Sequence, residues 1–169
     1  MSSFTAEPDG TVTARFDVAE IALIAELSTQ LTELLANRSD DDPALQRLLP
    51  DAYPDDAAAS AEFRRFTADG LVERKLANAS ALLSSIGSAT AGHGPANSVA
   101  TLHLDPSAVQ AWLRSIGDLR LTLATRLGIE QDGDEGSPGE PLSDLYDWLG
   151  YLQGSLVDAL DTPDAGDAA

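Results

Sequence analysis

The apolar positions of this 169-residue chain fall into helical stripes divided by short polar breaks marked with glycine and proline. The widest stripe lies in residues 105–128. Trp112, Ile116, Leu119, Leu123 and Leu127 follow at intervals of four, three, four and four residues, the period of one helix face. Leu113, Leu121 and Ala124 widen that face, so the spacing predicts a helix buried on most sides. Asp105 suits the N-cap, Pro106 the first helical position, and Gly128 the left-handed position that closes the helix.

Other stretches carry narrower stripes. Ile24, Leu27, Leu31 and Leu34, with Ile21 and Leu35 beside them, predict a helix capped by Asp17 and ended by the polar residues 37–42. A short helix is expected over 44–49, between Pro43 and Pro50. Asp55 or Asp56 then caps a helix over 57–66 that turns Phe63 and Phe66 inward. A further helix uses Leu71 or Val72, Leu76, Ala79, Leu82 or Leu83, and Ile86. Gly70 between them costs about 1 kcal/mol in a helix interior, so two helices are expected there rather than one. Leu142, Leu145, Leu149, Leu152, Leu156 and Leu160 form the last seam. It is shorter than the three to four heptads of a coiled coil and reads as a packed core helix. Gly150 and Gly154, four apart within it, leave room for a close contact.

Two segments alternate with period two, Thr11 to Phe16 and Val99 to Leu104, and are expected to pair as strands so that their backbone groups are satisfied. The expected fold class is mainly α: a helical bundle of about five helices with a small two-stranded β-ribbon. Residues 1–10 are expected to be a flexible N-terminus and 11–161 one helical domain. Within it, 88–98 and 130–140 read as mobile loops, and 162–169 as a disordered acidic tail.

Charge then narrows the function classes. Ten basic residues stand against 28 acidic ones, a formal charge of −18, which opposes the phosphate contacts that nucleic-acid binding relies on. No direct nucleic-acid binding is expected. There is no cysteine, hence no thiolate nucleophile, disulfide or thiolate metal site. The opening residues lack the features of a signal peptide, and no apolar run reaches the roughly 20 residues needed to span a bilayer. A cytoplasmic protein with no membrane association is expected.

Candidate chemistry is sparse. Asp132, Asp134 and Glu135 do not meet the calcium-loop pattern, and neither His93 nor His103 has a nucleophile beside it in sequence. No catalytic residues, metal or cofactor are expected. Arg64, Arg65, Arg74 and Lys75 are four of the ten basic residues and form a candidate surface for an acidic partner. Arg114 and Asp118, four apart, can pair on one helix face. Arg120, between Leu119 and Leu121, is expected to be buried and to reach a carboxylate on another helix, Glu62 or Glu20. A buried unpaired charge is very costly.

The motifs Leu48-Leu49-Pro50-Asp51-Ala52-Tyr53, Asp55-Asp56, Ala61-Glu62-Phe63-Arg64-Arg65-Phe66-Thr67, Trp112-Leu113-Arg114, Asp118-Leu119-Arg120-Leu121, Arg126-Leu127-Gly128-Ile129 and Tyr146-Asp147-Trp148-Leu149 occur in that order. As a set, over residues 11–160, they resemble the actinobacterial oxidative stress regulator family AosR. Gly117 departs from the polar amide expected at that place. The resemblance implies a non-enzymatic regulator of transcription acting through a protein partner, a stress sigma factor. Its alternative is an accessory role in Clp-type proteolysis or cysteine metabolism. It supplies no catalytic residues.

Overall fold

The computed structural model describes residues 3–37, 41–49, 56–90, 99–128 and 141–161, but not the side chains at 57, 60, 61, 63–68 and 90. In chain order the elements are β1 (Phe4–Ala6), β2 (Val12–Asp17), α1 (Val18–Asn37), α2 (Pro43–Leu48), α3 (Ala57–Thr90), β3 (Val99–Leu104), α4 (Pro106–Leu127) and α5 (Pro141–Asp161). The mainly helical expectation holds, with five helices among the described residues. The expected pairing of the two alternating segments holds too: β2 and β3 run antiparallel with Ala14 opposite Leu102 and Phe16 opposite Ala100.

The ribbon, however, has three strands in the order β1-β2-β3. The third comes from residues expected to be a flexible lead. Two things hold it. Asp9-Gly10 closes a hairpin, with Gly10 at φ 86° and the Asp9 carboxylate accepting from the Thr11 N–H at 3.0 Å and its hydroxyl at 2.5 Å. Phe4 then meets Phe16 and Trp112 edge-on, with ring centroids 5.9 and 6.0 Å apart. Such pairs add to the area that the rings bury.

α4 is the hub. It touches the other four helices and β3, and buries Trp112, Ile116, Leu119 and Leu123. Its ends are as expected: Asp105 accepts from the Ala108 N–H at 2.7 Å, and Gly128 closes it at φ 77°. At the start of α1, the Glu20 carboxylate reaches back to the Asp17 N–H at 3.0 Å, half of a capping box. The buried face of α1 is Ile21, Ile24, Ser28, Leu31 and Leu35, with Leu27 and Leu34 packed at its margin.

α3 corrects a second expectation. It is one helix of 34 residues, running through Gly70 without a break. Val72, Ala79, Leu82, Ile86 and Ala89 form a buried stripe along its C-terminal part, and the local penalty of about 1 kcal/mol for an exposed glycine does not end the helix at Gly70. Asp56 accepts from the Ala59 N–H at 3.1 Å and caps it. Of the expected loop 88–98, residues 88–90 continue α3. Residues 91–98, the loop 130–140 and the tail 162–169 lie outside the described residues, as do His93, the acids at 132–135 and the Phe63 and Phe66 side chains. In α5 the buried seam is Leu149, Leu152, Leu156 and Ala159; Leu142 and Leu160, expected within it, are exposed at its two ends.

Candidate interaction surface

Of the charged residues singled out above, Lys75, Asp118 and Arg120 lie at the seams between α4 and its neighbours. Lys75 on α3 places its ammonium 2.6 Å from the Asp118 carboxylate on α4, with side-chain exposures of 17% and 11%. Asp118 therefore does form a structural ion pair, but across helices and not with Arg114. Arg114 is exposed and makes no ion pair with Asp118 among the described residues. The (i, i+4) spacing permits that pair, but Asp118 turns inward where Lys75 meets it.

Arg120 is half-buried, and it does not reach a carboxylate on another helix as expected. Its guanidinium donates to the Gln153 side-chain oxygen at 2.9 Å and lies 4.4 Å from the Tyr146 ring centroid. Gln153 and Tyr146 both come from α5. An amide acceptor and an aromatic face stabilise a cation without a counter-charge. Glu62 is exposed, and Glu20 holds the start of α1, so neither serves Arg120. Gly150 makes this seat possible: a Cβ there would stand 3.0 Å from an Arg120 terminal nitrogen and 3.1 Å from its Cζ. Gly154 has nothing within 4 Å of such an atom.

Other arginines brace α2 against α4. Arg126 grips Asp42 through two hydrogen bonds of 3.1 and 3.0 Å, and these hold the Asp42 carboxyl below its ordinary range. Arg47 donates to the Thr125 hydroxyl at 3.2 Å.

The candidate partner surface is thus brought together only in part. Arg64 and Lys75 share one continuous helix, but Lys75 is engaged with Asp118. Arg74 is exposed. Positions 65 and 74 are nine residues apart, about two and a half turns, so they fall on opposite sides of the helix.

Among the described residues, two depressions can be outlined. The smaller, about 270 Å³, lies between the C-terminal end of α3 and the outer edge of β3, lined by Ser84, Ser85, Ser88, Thr101 and His103 among others. The larger, about 550 Å³, runs between β1 and the α5 residues Gly150, Tyr151, Gly154, Ser155 and Asp158. Periodicity did not foresee it, because β1 was not expected to be a strand. The paired glycines of α5 were its one visible sign. Among the described residues no cluster of three or more histidine, aspartate or glutamate side chains is placed to hold a metal ion. No described helix is long and apolar enough to cross a membrane.

Comparison with known proteins places this architecture. The chain is 34% identical over 137 residues to the AosR protein of Mycobacterium leprae (strain TN), covering 71% of this chain and 59% of that protein. It is 34% identical over 133 residues to the oxidative stress regulator AosR of Mycobacterium tuberculosis (strain ATCC 25618 / H37Rv), covering 69% and 57%. The chain therefore spans less than two thirds of the length of these relatives. No solved structure matches it. With residues 1–160 matched, from the first strand to the last helix, the chain belongs to the family described as Domain of unknown function (DUF2017).

Proposed function

We propose that the chain is a non-enzymatic, cytoplasmic regulator of the oxidative stress response that works by binding another protein, a stress sigma factor. The observation carrying this reading is the similarity over 133–137 residues to proteins named as oxidative stress regulators. The charge of −18 supports a protein partner over DNA, since an acidic surface forfeits the counterion release that drives binding to phosphates. Arg64 and Arg74, about 80° apart around α3, are the proposed cationic contacts, and Arg65, on the opposite side from Arg74, is left out. Lys75 is set aside because its ammonium already holds Asp118.

The test mixes the purified chain with a purified stress sigma factor and follows association in real time. A specific complex is expected. Charge reversal of Arg64 and Arg74 together should slow association more than it speeds dissociation. Stable binding to a Clp-protease adaptor, with none to the sigma factor, would replace this reading with the proteolytic one.

A further inference from the structure

We propose that β3 is a dimerisation edge, along which two copies of this chain pair antiparallel and join their three-stranded sheets into one. The inference goes beyond the regulator reading and does not depend on the identity of its partner. Both outer strands turn backbone groups away from the sheet, but the two edges differ. β1 has three residues, is followed by Pro8, and has its Phe4 N–H taken by Ser155. β3 has six, Val-Ala-Thr-Leu-His-Leu, with none of the prolines, lysines or inward charges that blunt an edge. Its pairing with β2 runs from Val99 to Leu104 without a bulge. The hairpin shows which of its groups point outward. The Glu7 N–H donates to the Thr11 carbonyl at 2.8 Å, so Thr13 bonds to β1, while Val12, Ala14 and Phe16 bond to β3. Their partners there are Leu104, Leu102 and Ala100. Thr101 and His103 therefore turn their N–H and carbonyl groups away from the sheet. Among the described residues no hydrogen bond reaches those groups.

α3 does not close this edge. Between the two lies the depression of about 270 Å³, lined on the helix side by Ser84, Ser85 and Ser88. Ser84 and Ser88 are exposed and His103 is too, and such short side chains let another backbone come alongside. Charge then selects a second copy. With 28 acidic residues and a net −18, two copies repel each other wherever their acids meet. The serines, Thr101 and His103 supply no acid. Asp105, the one acid lining the depression, turns its carboxylate to the Ala108 N–H of its own helix. Here, then, is a near-neutral face on a strongly acidic chain, where like molecules can touch. The edge is also self-complementary. With a two-fold axis at Leu102, Thr101 of each copy stands opposite His103 of the other, and main-chain bonds form on both sides of the axis. Asp105 then stands opposite Val99, so no two like charges are paired across the strands.

The test is sedimentation velocity on the full chain from about 1 to 200 μM, at about 0.15 M salt. A monomer–dimer equilibrium is expected. It should tighten at about 0.5 M salt, because screening relieves the repulsion between two acidic bodies. Hydrogen exchange at the Thr101 and His103 amides should slow as the protein concentration rises. Two variants approach the edge differently. Thr101→Pro removes an outward N–H at a position where an edge strand accepts proline. Ser84→Glu leaves the strand intact and sets like charges across the axis, so it keeps the test decisive if the proline variant does not fold. Each should weaken dimerisation about tenfold or more. Leu23→Ser and Val157→Ser, at exposed apolar positions away from β3, should leave it unchanged. The inference is overturned if the chain stays monomeric throughout, or if the dimer weakens as salt rises. It is equally overturned if a folded edge variant dimerises as tightly as the parent, or if Leu23→Ser or Val157→Ser dissolves the dimer.

Discussion

Lys75 and Asp118 meet at 2.6 Å with most of both side chains withdrawn from water, so each is stable there mainly because the other is present. Removing one leaves a poorly solvated charge, a loss of about 3–5 kcal/mol. Asp118→Ala should approach the lower end of that range in denaturant unfolding. The double variant Lys75→Met/Asp118→Leu should recover most of it, because two apolar side chains need no pairing. The glycines of α5 offer an opposite pair of outcomes. Gly154→Ala adds a methyl to open space and should stabilise by up to about 1 kcal/mol through helix propensity. Gly150→Ala drives its methyl to 3.0 Å from Arg120, displacing the guanidinium from Gln153 and Tyr146, and should cancel or reverse that gain. Asp42 sets a pH dependence. The Arg126 hydrogen bonds lower its carboxyl below the ordinary 3.8, so their contribution is present above that value and is lost as pH falls through the depressed one. With Arg126 43% exposed, Arg126→Gln should cost only about 0.2–1 kcal/mol near neutrality, and the two unfolding curves should converge in acid below 3.8. Little of this was legible in the sequence. Spacing along one helix offered Arg114 to Asp118, whereas the partners that form are 43 residues apart for Lys75–Asp118 and 33 for Arg120–Gln153. Only packing of separate helices creates such pairs.

At the level of elements, what could be read from the chain was whatever its local chemistry decides. α4 announced both ends, through Asp105-Pro106 and Gly128, and its buried face through Trp112, Ile116, Leu119 and Leu123. α3 was misread at Gly70 because a local penalty of about 1 kcal/mol is too small to end a helix by itself. β1 was missed for a related reason. Phe4-Thr5-Ala6 is too short to show a period, and its stability lies in Phe4 against Phe16 and Trp112, contacts that exist only after folding. The groove beside it was hidden with it. Phe4→Ala should therefore destabilise by about 3–5 kcal/mol. Hydrogen exchange should show the β1–β2 amides losing protection first, with the β2–β3 amides holding longer.

For the whole molecule, charge and sulfur content set the behaviour. Side-chain sensing of an oxidant usually runs through the sulfur of cysteine or methionine; this chain has no cysteine and a single methionine at residue 1. Trp112 is fully buried. Peroxide treatment should leave the unfolding midpoint and the affinity for the proposed partner unchanged; a reversible shift in either, with a cysteine-free partner, would contradict this. The molecule also joins its first strand to its last helix, since the Phe4 N–H is capped by Ser155, 151 residues later. During synthesis that cap arrives after the other described elements have been made. Until then the Phe4 amide, like the rest of the β1 edge, stands open to any extended chain nearby. A nascent protein stalled before α5 should therefore bind holdase chaperones that release it once Ser155 emerges, and Ser155→Ala should prolong that association.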